Sequence, residues 1–141
     1  MRYLLDTCIV SEASKRKPNE RVIAWLASMS FDDLYLSVVT LGEIENGIYR
    51  LDEASALRHR LSIWLDEIRR AYSGRIVSFD EETSLLWGRK TGENAHAGRT
   101  MPTADSQIAA SALFHGMILV TRNVEDMSGI GVQIFNPFAE I

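Results

Sequence analysis

Five short apolar runs alternate with stretches of helical spacing along the whole chain, and that alternation decides the fold class. The runs lie at residues 2–6, 34–38, 75–79, 117–121 and 132–135. A short helix is expected at 8–15. A second opens near Pro18, with Asn19 and Glu20 in its first turn and Val22, Trp25, Leu26 and Met29 along it. Thr40 reads as the N-cap of a helix over 40–51 that carries Leu41, Ile44, Ile48 and Leu51 on one side. Leu57, Leu61, Leu65 and Ile68 mark a helix over 54–72, which Gly74 breaks. A further helix spans 81–97 and ends at Gly98. Pro102-Thr103 starts the last one, and Gly116 stops it. Repeated strand–helix units imply a parallel sheet covered by helices. The helices at 40–51 and 54–72 are expected to form a hairpin clipped onto the sheet. Residues 94–102, with Gly98 and Pro102, are the expected mobile loop. With no repeat, linker or low-complexity tract, residues 1–141 read as one domain with a sizeable core.

Composition narrows the function. The single Cys8 excludes an internal disulfide and a cysteine-based zinc site. No apolar stretch is long enough to span a bilayer. The N-terminus has one Arg and then enters a strand, unlike a secretory signal, so a soluble cytoplasmic protein is expected. A net charge of −4 argues against a protein held on nucleic acid by bulk electrostatics, but not against a nuclease.

Four carboxylates fall near the ends of these segments. Asp6 ends the first run, Glu43 lies near the start of the helix after the second, Asp105 opens an Ala-rich helix, and Asp126 follows the fourth run. Ligands of an open parallel sheet bind outside the carboxyl ends of its strands, where strand order reverses. Acids gathered there repel one another, and a bound divalent cation is the simplest way to keep them ionised and close. Hard oxygen ligands suit Mg²⁺ or Mn²⁺, and such a cation activates water against a phosphodiester. Each acid also has a structural alternative. Asp6 would serve as a helix N-cap and Glu43 as a solvated residue. Asp105 would complement a helix dipole and Asp126 would form an Asx turn. Gly47, in mid-helix on the same side as Glu43 and Arg50, costs about 1 kcal/mol relative to Ala, which suggests a close approach on that face. Thr121-Arg122-Asn123 adds a hydroxyl, a cation and an amide at a strand end. Trp25, Trp64 and Trp87 read as core or interface. Arg58, Arg60, Arg69 and Arg70 read as a solvated face, and His59, His96 and His115 show no metal-ligand spacing.

Several motifs carry a resemblance. They are Leu4-Leu5-Asp6-Thr7, Ser37-Val38-Val39-Thr40-Leu41-Gly42-Glu43, and Thr103-Ala104-Asp105-Ser106-Gln107-Ile108-Ala109-Ala110. Val120-Thr121-Arg122-Asn123-Val124-Glu125-Asp126 and Phe135-Asn136-Pro137-Phe138 complete the set. Together they resemble, in order and over nearly the whole chain, a PIN-domain ribonuclease of the VapC type, in its FitB-like branch. The resemblance implies a three-layer α/β fold with a five-stranded parallel sheet of order 3-2-1-4-5. It implies an acidic site of Asp6, Glu43, Asp105 and Asp126 holding Mg²⁺ or Mn²⁺, with Thr7, Thr121 and Asn123 in support. The implied activity is hydrolysis of RNA by the toxin of a toxin–antitoxin pair. The implied partners are a second copy, an antitoxin that blocks the site, a higher assembly with that antitoxin, and promoter DNA only through the antitoxin. Two positions depart from the pattern. Cys8 stands where many members have Asn or Ser, and a neutral thiol is a poor Mg²⁺ ligand. Asp126 is followed by Met127 rather than an aromatic, and in the FitB-like branch the fourth acid can fall at the position of Asn123.

Two other functions compete. A receiver-type signalling module also binds Mg²⁺ on a five-stranded α/β fold, with Asp80 as its tempting acid. It needs an acidic pair after the first strand and a Lys after the fifth, where this chain has Asp6-Thr7 and Asn136. A catalytically silent PIN binding subunit would bind metal without cleavage.

Overall fold

The computed structural model describes residues 1–139. Five strands pair in parallel in the order β3-β2-β1-β4-β5: β1 (Tyr3–Leu5), β2 (Leu34–Ser37), β3 (Ile76–Val77), β4 (Ile118–Val120) and β5 (Ile134–Phe135). This is the order that the resemblance implies. Register is set in the centre, where Tyr3, Leu4 and Leu5 lie opposite Ile118, Leu119 and Val120. Seven helices connect the strands: α1 (Thr7–Ser14), α2 (Glu20–Ser28), α3 (Val38–Tyr49), α4 (Ala56–Ala71), α5 (Glu81–His96), α6 (Thr103–Phe114) and α7 (Val124–Met127). None of them is long and apolar enough to cross a membrane.

Alternation along the strands builds three layers. Side chains of successive strand residues point to opposite faces. Leu5 and Val120 therefore enter one core with Ile9, Val22, Ile44, Ile48 and Leu65, from α1 to α4. Leu4 and Leu119 enter the other with Ile108, Ala109 and Ala112 of α6 and with Met127 and Ile130. The central strands are apolar on both sides, as a covered parallel sheet requires. Trp25 and Trp64 pack against the first core, as expected, and Trp87 donates from α5 to Ser106 Oγ of α6 at 2.9 Å.

Helix starts follow local chemistry. Asn19 caps α2 by accepting from the backbone of Arg21 and Val22, and Ser55 caps α4. Asp80 caps α5, accepting from Thr83 N at 2.9 Å and Thr83 Oγ1 at 2.7 Å, and these bonds hold its pKa below the usual value. That accounts for the acid which tempts a receiver reading. Gly98 and Gly116 adopt φ of +83° and +65° where α5 and α6 end, a region open to glycine.

Four expectations are corrected. Thr40 does not cap α3: Ser37, the last residue of β2, does so by accepting from Val39 N at 3.0 Å, and Thr40 is buried inside the helix. The strand passes into the helix with no loop, so the cap lies three residues earlier. Asn94 to His96 continue α5 rather than joining a loop. A Cβ at Gly47 would meet nothing within 4 Å, so that glycine marks no close approach. Asp126 lies on a four-residue helix, α7, which is followed by a 3₁₀ turn, Ser128–Ile130.

Candidate active site

The central strands deliver the first pair of side chains. β1 ends at Leu5 and β4 at Val120, and Asp6 N still bonds Val120 O at 2.9 Å. Asp6 and Thr121 therefore leave the sheet side by side at the point where strand order reverses. Thr121 Oγ1 donates to Asp6 Oδ2 at 2.7 Å, and both residues are buried. The other carboxylate oxygen accepts from Thr7 N at 2.8 Å, so Asp6 is also the N-cap of α1. The N-cap role considered for Asp6 is therefore filled, at the position where the acid would also face a ligand.

Thr7 carries the link onward. Its hydroxyl donates to Glu43 Oε1 at 2.6 Å and lies 3.1 Å from Thr40 Oγ1. One residue of α1 thus orients acids from two segments: the backbone of Thr7 holds Asp6, and its hydroxyl holds Glu43. Asn123 contributes through its backbone, donating to Thr121 Oγ1 at 3.0 Å.

Asp105 enters from the first turn of α6, whose start is pinned by Ser106 Oγ donating to Thr103 O at 2.8 Å. Its pKa is pushed up to about 6, first by burial and then by the negative charges of Asp6, Glu43 and Asp126. The other three expected acids are therefore each within electrostatic reach of Asp105, with Asp126 the weakest and most exposed contributor. No Lys, Arg or His among the described residues forms an ion pair with any of the four.

Cys8 sits inside this group. Its sulfur is 3.6 Å from Asp6 Oδ2 and 3.8 Å from Thr121 Oγ1. Burial, and then the charge of Asp6, raise its pKa above the usual 9.0, which keeps it a neutral thiol.

The donor set fits a hard divalent cation. Hydroxyls and a backbone N–H orient the carboxylates, and local cations do not compensate their charge. Among the described residues no three acid, His or Cys ligands are already drawn into a closed cage. Mg²⁺ does not need one, because it keeps several waters and binds through one or two carboxylates. Asp6 and Asp105, with Glu43 within electrostatic reach of Asp105, could hold such an ion.

Sequence reasoning missed two contributors. Thr40 was expected to cap a helix and instead lies against the Thr7 hydroxyl. Asn94 of α5 bonds the turn after Asp126, and the only local signal was Gly129 in that turn.

An open parallel sheet with acids at its central switch point has the arrangement in which α/β proteins bind ligands. The profile of the PIN domain matches residues 3–128, and the chain belongs to the PIN-domain family. It is 34% identical to Toxin FitB of Neisseria gonorrhoeae over 138 residues, covering 96% of this chain and 97% of the relative. It is 30% identical to VapC ribonuclease Y4jK of Sinorhizobium fredii, covering 96% of each. Among solved structures, the FitAcB complex from Neisseria gonorrhoeae superposes with a TM-score of 0.89 at 33% identity, covering 98% of this chain and 99% of that one.

Proposed function

We propose that this chain is a divalent-metal-dependent endoribonuclease and the toxin of a toxin–antitoxin pair, acting as one domain. The observation that carries this reading is the convergence of Asp6, Glu43 and Asp105 at the switch point without a cation to compensate them. The names of relatives across nearly the full chain, a toxin and a ribonuclease, support it.

When bound, Mg²⁺ or Mn²⁺ supplies activation of water and stabilisation of charge on the phosphodiester. Asp6 and Asp105 would hold the ion, directly or through water. Thr121 and Thr7 N fix the Asp6 carboxylate, so its oxygens do not reorganise during the reaction. Glu43, oriented by Thr7, binds the ion or orients the attacking water. Asp126 supports the ligand shell, and Asn123 keeps Thr121 in place.

Similar solved structures include FitAB bound to a DNA fragment and the FitAcB complex. An antitoxin is therefore the expected partner here, with promoter DNA bound through it and a second copy completing the assembly. Exposed apolar side chains on the α3–α4 pair, Tyr49, Leu57 and Ile63, supply surface for such partners.

Purified protein incubated with total RNA and Mn²⁺ should cut internal phosphodiester bonds, and sequencing the new ends should reveal the preferred site. Metal binding without any cleavage would favour the silent binding subunit.

A further inference from the structure

Asp126 reaches the acidic site from a helix of only four residues, too short to hold its own direction. We propose that Asn94 of α5 is the positioning residue that sets this segment relative to Asp105, by bonding Gly129 just beyond it. This inference rests on the reading of the acids as a metal site.

Asn94 is 4% exposed, one turn from the end of α5. Its Nδ2 donates to Lys90 O at 2.7 Å and to Gly129 O at 3.0 Å. Its backbone carbonyl accepts from Arg99 N at 2.7 Å. One residue thus bonds both the turn that follows Asp126 and the connection that leads into α6 and Asp105. A cleft of about 190 Å³ runs between the two segments, lined by Arg99, Thr100, Asp126 and Gly129, with Asn94 in its wall.

Two details indicate that position, rather than stability, is what Asn94 provides. First, Asn94 Oδ1 is buried without a hydrogen-bond partner. An unpaired buried acceptor is destabilising. The turn is already anchored by Met127 and Ile130, which are 1% and 0% exposed in the second core. An apolar residue at 94 would remove the unpaired oxygen, which offsets part of the loss of the Nδ2 bonds, and leave that packing in place. Second, a Cβ at Gly129 would lie 2.1 Å from Asn94 Oδ1. The amide therefore fills the space that any side chain at 129 would need, and its Nδ2 bond ties the turn to α5.

The test uses Mn²⁺ binding to the metal-free protein, followed by calorimetry, beside RNA cleavage. Removing a residue that orients a ligand typically costs about tenfold or more in metal affinity or activity. Asn94→Ala should weaken Mn²⁺ binding about tenfold and lower kcat with little change in KM for RNA. Its melting temperature should fall only modestly, because loss of the Nδ2 bonds is partly offset by removal of the unpaired oxygen, and its circular dichroism should stay that of the folded wild type. In a double-mutant cycle with Asp126→Asn the losses should be strongly non-additive, because Asn94 acts through that carboxylate. Gly129→Ala should reproduce the loss from the other side, and Asn94→Ala should absorb most of its effect by vacating the space. Wild-type Mn²⁺ affinity in both single variants would overturn the proposal. So would losses that simply add to those of Asp126→Asn, or losses that track a lowered melting temperature. A wild-type protein that binds Mn²⁺ without cutting RNA would contradict the ribonuclease reading, and the binding cycle would still decide the role of Asn94.

Discussion

Thr121 donates its hydroxyl proton to Asp6 across the two central strands at 2.7 Å, with both side chains buried. The bond ties a strand end to a carboxylate that must otherwise be turned toward its ligand. It also gives the buried carboxylate and the buried hydroxyl a partner each.

Thr121→Val should leave Asp6 short of a donor in a buried place. Losing one partner of a buried polar pair costs about 1–3 kcal/mol. Urea unfolding should show that loss, and Mn²⁺ binding should weaken. Thr121→Ser, which keeps the hydroxyl, should restore most of both. A Val variant with wild-type stability and affinity would refute this role.

The raised pKa of Asp105 makes a claim about the metal-free protein. Its folded value of about 6 lies above the ordinary 3.8, so the folded state binds more protons between those values. The stability contribution of this group is therefore highest below 3.8, falls as pH rises through the window, and is fully lost above about 6. Asp105→Asn should raise the melting temperature of the metal-free protein at pH 7 and abolish cleavage. Added Mn²⁺ should stabilise the wild type far more than the variant. A less stable Asn variant at pH 7 would show that burial and the neighbouring acids do not make the Asp105 charge unfavourable.

Glu12 should behave in the opposite way. This carboxylate is buried on α1, outside the site, and accepts from Lys15 Nζ at 3.0 Å and Asn19 N at 2.9 Å. Those bonds lower its pKa from 4.5. Its contribution is present above that value and is lost as pH falls through the lowered one. Glu12→Gln should reduce stability at pH 7 and flatten its decline in acid, while leaving RNA cleavage intact. Loss of cleavage at unchanged stability would place Glu12 in the site after all.

Cys8 donates weakly to Asp6 Oδ2 at 3.6 Å and is expected to hold no metal. Its raised pKa should make alkylation by iodoacetamide slow at pH 8, and Cys8→Ser should keep most activity and metal affinity. A Ser variant that no longer binds Mn²⁺ would show that the thiol is needed.

Much of this site was readable because its parts are local. An apolar run, its terminal acid and the helix that follows are adjacent in sequence, and parallel pairing then brings Asp6 and Thr121 together. What pairs across distance was not readable. Thr7 meets Glu43 from 36 positions away, and Asn94 meets Gly129 from 35. Neither contact leaves a periodic trace. The four residues of α7 make just over one turn, too few to show helical spacing, so Asp126 looked like part of a loop. The cap of α3 was misplaced because Ser37 and Thr40 both have hydroxyls, and which one caps depends on where β2 ends.

The most direct test of the central claim is cleavage of a defined RNA by purified protein in Mn²⁺, comparing the wild type, Asp6→Asn and Asp105→Asn. Each is assayed with and without excess chelator, and circular dichroism confirms that each is folded. The wild type should cut internally only with metal. Both variants should be folded, fail to bind Mn²⁺ and lose cleavage. Undiminished cleavage by either variant, or by the wild type in chelator, would contradict the account.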